Sequence, residues 1–175
     1  MTSAHAATAT AFKLIRSAGL PAACAPKATA TAHLVTVGFA EKLTLQVTGF
    51  KPGTKFDVFV IQVPNKPFGI AWYLGDIANG QTHTFVSRLN DETFAVAVGS
   101  AVAPTPHGPR DANTNPIFAP VHTFHLGIWF NSVAAGAANG CAGGPTPFNG
   151  DHTAGIQVLN TGGFDDGHGP LRKID

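Results

Sequence analysis

At 175 residues the chain fits one domain large enough to bury a sizeable core. Charged residues are 12% of it and the formal net charge is +1, which leaves no electrostatic footprint for nucleic acid or an anionic membrane. Hydrophobic residues make up 44%, yet 20 glycines and 13 prolines break them into short segments, and no run approaches the roughly 18 apolar residues of a bilayer span.

The chain begins with Ala4-His5-Ala6 followed by Ala7, the small-residue pattern that precedes signal-peptidase cleavage. Residues 1–9 therefore read as the residual end of a secretion signal, or as an Ala/Thr-rich disordered tail. Residues 10–160 read as a β domain and 161–175 as a C-terminal tail. Cys24 and Cys141 are the only cysteines, and a disulfide between them fits a secreted, extracellular protein. Closing so long a loop stabilises a fold by about 4–5 kcal/mol on the chain-entropy argument. Two free buried thiols in a cytosolic protein are the alternative.

Taken in chain order, period-2 alternation dominates. It begins weakly in Ala11–Ser17 around Phe12 and Leu14, continues through the Thr/Val-rich Thr29–Val37, and is clear where Leu43, Leu45 and Val47 alternate with Thr44, Gln46 and Thr48. Phe56–Ile61 is apolar on both faces, as a strand covered on each side would be. Further strands are expected at Ile70–Leu74, Thr82–Arg88, Thr93–Val98, His122–Phe130 and Ala154–Leu159. Turn signals such as Lys51-Pro52-Gly53, Pro64-Asn65-Lys66-Pro67 and Ala78-Asn79-Gly80 separate them. About eight or nine short strands at this spacing predict an all-β antiparallel sandwich, immunoglobulin-like or jelly-roll-like, with long late loops. The one helical candidate is Val133–Asn139.

The stretch Leu43-Thr-Leu-Gln-Val-Thr-Gly-Phe-Lys-Pro-Gly-Thr-Lys-Phe-Asp-Val-Phe-Val resembles a strand–turn–strand corner of immunoglobulin-like and fibronectin type III-like domains. The chain is also similar to bacterial secreted proteins that share a Val-Pro-Asn-x-Pro-Phe-Gly segment (Val63–Gly69) and a His-Leu-Gly-x-Trp-Phe-Asn segment (His125–Asn131). Covering residues 43–160, the resemblance implies secretion and the fold, and no particular activity.

Two late loops stand out. Residues 100–121 hold five prolines, and residues 132–152 are rich in Gly and Ala around Cys141. Between Asp111 and Asp151 there is no Asp, Glu, Lys or Arg, so this charge-free stretch with Ile128, Trp129 and Phe130 is expected in the core or at an interface.

For chemistry, the sequence has no Gly-x-Ser-x-Gly elbow, His-Glu-x-x-His pair, phosphate loop or dinucleotide fingerprint. His122 and His125 point to opposite faces of one strand, which makes them poor joint ligands. If the last two strands run antiparallel, however, one pole gathers His107, Asp111, His122, Asp165 and His168. Imidazole and carboxylate together suit a transition metal; solvated loop histidines are the alternative. Asp111-x-Asn113-x-Asn115 begins a calcium-loop spacing, but Pro116 and His122 stand where Gly and Glu are needed. Trp129, Trp72 and Tyr73, with His125 beside Trp129, are candidates for an aromatic binding surface; core burial is the alternative reading of each Trp.

Two functions follow as expectations. The first is a secreted, non-catalytic binding or self-association module of a bacterial cell surface or extracellular matrix, with an extracellular polymer, protein or like subunits as partner. The second is a small secreted metalloenzyme built around His122.

Overall fold

The computed structural model describes residues 9–38, 40–66, 68, 71–87, 89, 125–146 and 153–171. Among these are eight strands: β1 (Ala9–Arg16), β2 (Thr29–Val37), β3 (Ala40–Thr48), β4 (Lys55–Ile61), β5 (Ala71–Ala78), β6 (Thr82–Ser87), β7 (His125–Phe130) and β8 (Gln157–Asn160). One helix, α1 (Val133–Ala138), follows β7, started by Ser132, whose hydroxyl accepts from the Ala135 N–H at 3.1 Å. The protein is all-β.

All the strands join one antiparallel, nearly closed sheet in the order β5-β4-β7-β8-β1-β2-β3-β6. The seam is β1, which pairs with β2 through Ala9–Leu14 and then with β8 through Ile15 and Arg16. At the open end the edges approach each other: a Cβ added to Gly75 of β5 would lie 2.6 Å from the Phe85 ring of β6.

Alternation decides which residues face inward. Ala30, Ala32 and Leu34 of β2 and Leu43, Leu45 and Val47 of β3 are buried, while Thr29, His33, Lys42 and Thr48 stay outside. These inner residues share one core cluster with Val58 and Val60 of β4 and Leu126 and Ile128 of β7. Burying a side chain of this size stabilises the fold by about 1.5–3 kcal/mol. Strands β4 and β7 differ from the rest. Every residue from Phe56 to Ile61 and from His125 to Phe130 is buried, because a second cluster covers their other face with Phe59, Ile61, Phe68, Ala71, Trp129 and Ala154.

Cys24 and Cys141 are bonded, with their Cα atoms 4.4 Å apart. Their disulfide fits a non-cytoplasmic compartment, and no helix among the described residues is long and apolar enough to cross a membrane.

Several boundaries differ from the sequence expectation. Strand β5 runs on to Ala78, past Gly75 and Asp76, because a bulge at Leu74 takes up the extra residue between the pairs Val58–Gly75 and Phe59–Tyr73. The C-terminal segment 161–171 lies against the fold and is no free tail: Leu171 is fully buried, and the Phe164 ring meets Phe12 edge-on at 6.1 Å. The expected strand at Thr93–Val98, the Pro-rich loop 100–121 and the start of His122–Phe130 lie outside the described residues.

Candidate functional site

A cleft of about 440 Å³ opens beside the start of β8. One wall is the chain leaving β1, Ser17–Pro21; the second is Asn65, Lys66 and Phe68 after β4; the third is Ala142 and Thr146, just past the disulfide. Ile156, Gln157 and Trp129 lie between them.

Local sequence explains each wall. Pro64 and Asn65 turn the chain out of β4, and the Val63 N–H donates to the Phe68 carbonyl at 3.1 Å, which folds Phe68 back over Trp129 with ring centroids 5.1 Å apart. Gly127 makes room for the indole: a Cβ there would sit 2.4 Å from the Trp129 ring. On the first wall, one Arg16 amino group, Nη2, donates to the carbonyls of Pro21 at 2.7 Å and Cys24 at 2.9 Å. On the third, the Thr146 N–H donates to the Ala154 carbonyl at 2.6 Å.

A polar chain ties two of these walls to β8. Ser17 Oγ donates to Gln157 Oε1 at 2.9 Å, and Asn160 Nδ2 donates to the same oxygen at 2.9 Å. Gln157 Nε2 and Asn160 Nδ2 both donate to the Pro64 carbonyl, at 3.1 and 2.9 Å. Asn160 Oδ1 accepts from the Gly162 N–H at 2.9 Å, and Asn160 Nδ2 also reaches Asn65 Oδ1 at 3.4 Å. Because a carbonyl oxygen has two lone pairs, Gln157 Oε1 and Pro64 O are both filled. Ser17 donates to an amide, and an amide is no base, so its hydroxyl is not activated as a nucleophile. The arrangement holds a shape and offers donors.

The residues singled out in the sequence fall in different places. Trp129 is fully buried in the second core cluster and presents only part of its edge to the cleft. His125 is also fully buried, two pleat repeats along the same face of β7. Its Nδ1 meets Thr161 Oγ1 at 2.9 Å and its Nε2 meets the Asp166 carbonyl at 3.2 Å. Burial is the main cause of a histidine pKa below the ordinary value, opposed by hydrogen bonds to Asp166 and Thr161 and by the Asp166 charge.

Tyr73 is exposed at the β5 edge, and its ring lies 5.5 Å from that of Phe59. Its hydroxyl donates to Asp76 Oδ1 at 2.5 Å. Burial, this hydrogen bond and the charges of Asp76 and Asp57 hold the phenol well above its ordinary pKa. Trp72 is the neighbouring residue of β5 and pairs with Val60.

His168 and Asp165 sit in one turn, the His168 N–H donating to the Asp165 carbonyl at 2.8 Å, and both residues are exposed. His107, Asp111 and His122 lie outside the described residues. Among the described residues no group of three or more His, Cys, Asp or Glu is placed to hold a metal ion. The antiparallel pairing of β7 with β8 does bring the C-terminal segment to the start of β7, as the topology argument requires, and there it meets His125.

Sequence reasoning missed the cleft. Gln157, Asn160 and Ser17 are common residues without a motif, and their juxtaposition depends on the β1–β8 pairing. The second wall, Asn65, Lys66 and Phe68, falls within the Val63–Gly69 sequence segment. Compared with known proteins, the chain matches no family model, no curated protein and no solved structure.

Proposed function

We propose that this protein is a secreted, non-catalytic binding module of a bacterial surface or extracellular matrix, with the cleft beside β8 as its ligand site. The observation that carries this reading is the cleft's bonded amide network. Gln157, Asn160 and Ser17 are fixed by one another and by the Pro64 carbonyl, so the walls are set before a ligand arrives. A volume of about 440 Å³ lies in the range of small-molecule sites. The disulfide favours an oxidising compartment.

The fold belongs to the same proposal. The halves β2-β3-β6 and β8-β7-β4-β5 follow the order A-B-E and G-F-C-C′ of an immunoglobulin-type sandwich, with β1 added along the seam. Side chains from both halves meeting in one core cluster support stacked layers.

Nitrogen-15-labelled protein titrated with glucose oligomers, N-acetylglucosamine oligomers, short peptides and small aromatic acids tests the site. At least one probe is expected to shift the amides of Ala18, Lys66, Ala142 and Gln157 together. The cleft-filling variant Ile156→Trp should lose that response while keeping its remaining spectrum. Shifts clustered on another face, or none with any probe, overturn the assignment.

A further inference from the structure

Resting on the cleft as a ligand site, the pattern of spent and unspent hydrogen-bonding groups narrows the ligand. The carbonyl acceptors of the network are occupied: Gln157 Oε1 by Ser17 and Asn160, and Pro64 O by Gln157 and Asn160. The donors outside it remain. Lys66 Nζ carries three N–H groups, and Asn65 has its Nδ2 pair, its Oδ1 lying 3.4 Å from Asn160 Nδ2. Among the described residues that line the cleft, Lys66 is the one charged side chain and none is a carboxylate. The rest of the lining is largely apolar, through Leu20, Pro21, Phe68, Ala142 and Ile156.

A site that donates, carries one positive charge and has apolar walls suits a ligand that accepts, carries one negative charge and has an apolar body. We infer that the cleft binds a small monocarboxylate with an apolar or aromatic body, its carboxylate held by Lys66 and Asn65 and its body against Leu20 and Ile156. Charge-assisted hydrogen bonds are about twice as strong as neutral ones, so the carboxylate is the group that Lys66 discriminates. The two aromatic side chains among the described residues of the lining, Phe68 and Trp129, are buried, which argues against stacking of a neutral saccharide on them.

Calorimetry with 3-phenylpropionate and its neutral isostere 3-phenylpropionamide tests the inference on the whole chain, the Lys66→Gln variant and the Ile156→Trp variant. The acid is expected to bind about tenfold more tightly than the amide, as one charge-assisted hydrogen bond of about 1.5–3 kcal/mol would give at its lower end. Lys66→Gln should bring the two within about twofold, and higher salt should weaken the acid alone. Equal binding of acid and amide, abolished by Ile156→Trp, overturns the carboxylate assignment and leaves the cleft as a site. Binding of neither, or binding indifferent to Ile156→Trp, overturns the cleft as well. The peptide Ala-Ala-Phe, as free acid, is the remaining arm: affinity above that of phenylpropionate assigns the cleft to chain ends and overturns the small-molecule reading.

Discussion

The Asp166 carbonyl can only accept a hydrogen bond, so the His125 nitrogen facing it, Nε2, carries the ring proton. Neutral His125 then accepts at Nδ1 from the Thr161 hydroxyl, whose oxygen in turn accepts the Leu126 N–H at 3.1 Å. Every group is satisfied with the ring uncharged. Protonation would turn the Thr161 hydroxyl towards the Leu126 carbonyl, 3.4 Å away, and place a cation in a site with no exposed surface. On the segment packed against it, Asp166 supplies nearby negative charge and the Asp165 backbone also favours the charged ring, but burial outweighs both. The folded state therefore binds this proton less readily than the unfolded state. Stability from His125 is fully present above the ordinary histidine value of about 6.5 and declines as pH falls below it, by at most about 1.4 kcal/mol per unit. Urea unfolding between pH 8 and 5 should show a shallower acid loss in His125→Gln than in the parent. Identical pH slopes would sink this account.

At the scale of the element, β4 is the strand whose environment the sequence conveyed best. Phe56 through Ile61 is apolar without a polar alternate apart from Asp57, and such a run requires cover on both faces. The two clusters supply it, Phe56 facing Phe130 at 5.6 Å and Phe59 facing Trp129 at 5.2 Å. Asp57 stays tolerable because Asn131 Nδ2 donates to it at 2.8 Å. Phe56→Ala and Phe59→Ala should each lower stability by about 3–5 kcal/mol, measured as the denaturant midpoint with an unchanged slope. A strand buried on one face would lose almost nothing at Phe59, and that result would refute the second core. β5 was less legible. Its apolar run stops at Leu74, and nothing before Gly75-Asp76 signals that a bulge will carry the ladder to Ala78. The C-terminal segment failed for a similar reason: Gly, Asp and His read as a solvated tail, and Leu171 is too isolated to announce that it closes the core. The cleft was harder still. Its network joins Ser17 to Gln157 across a sequence separation of 140, and period-2 patterning carries no information on which strands become neighbours.

For the whole molecule, the two cysteines were the most informative long-range signal, and the structure gives their bond a location as well as a strength. Cys24 follows the Ser17–Pro21 wall of the cleft and Cys141 immediately precedes Ala142 of the opposite wall. Around it the Ala25 N–H donates to the Asn139 carbonyl at 3.0 Å, and the Asn139 side chain reaches Thr54 and the Lys51 N–H. The bond thus joins two segments that have few buried side chains of their own. With a sequence separation of 117 residues, chain entropy alone assigns it about 5 kcal/mol, and measured losses for such bonds run from about 2 to 5. The double variant Cys24→Ala/Cys141→Ala should fall in stability by that amount. The loss should also be uneven. Amide hydrogen exchange at residues 17–21 and 141–146 should accelerate beyond the global drop, because these walls would open locally, while β4 and β7 exchange only through global unfolding. Phenylpropionate affinity should weaken in the same variant at temperatures where it remains folded. If protection falls equally in the cleft walls and in β4, the disulfide stabilises the fold as a whole and does not shape the site.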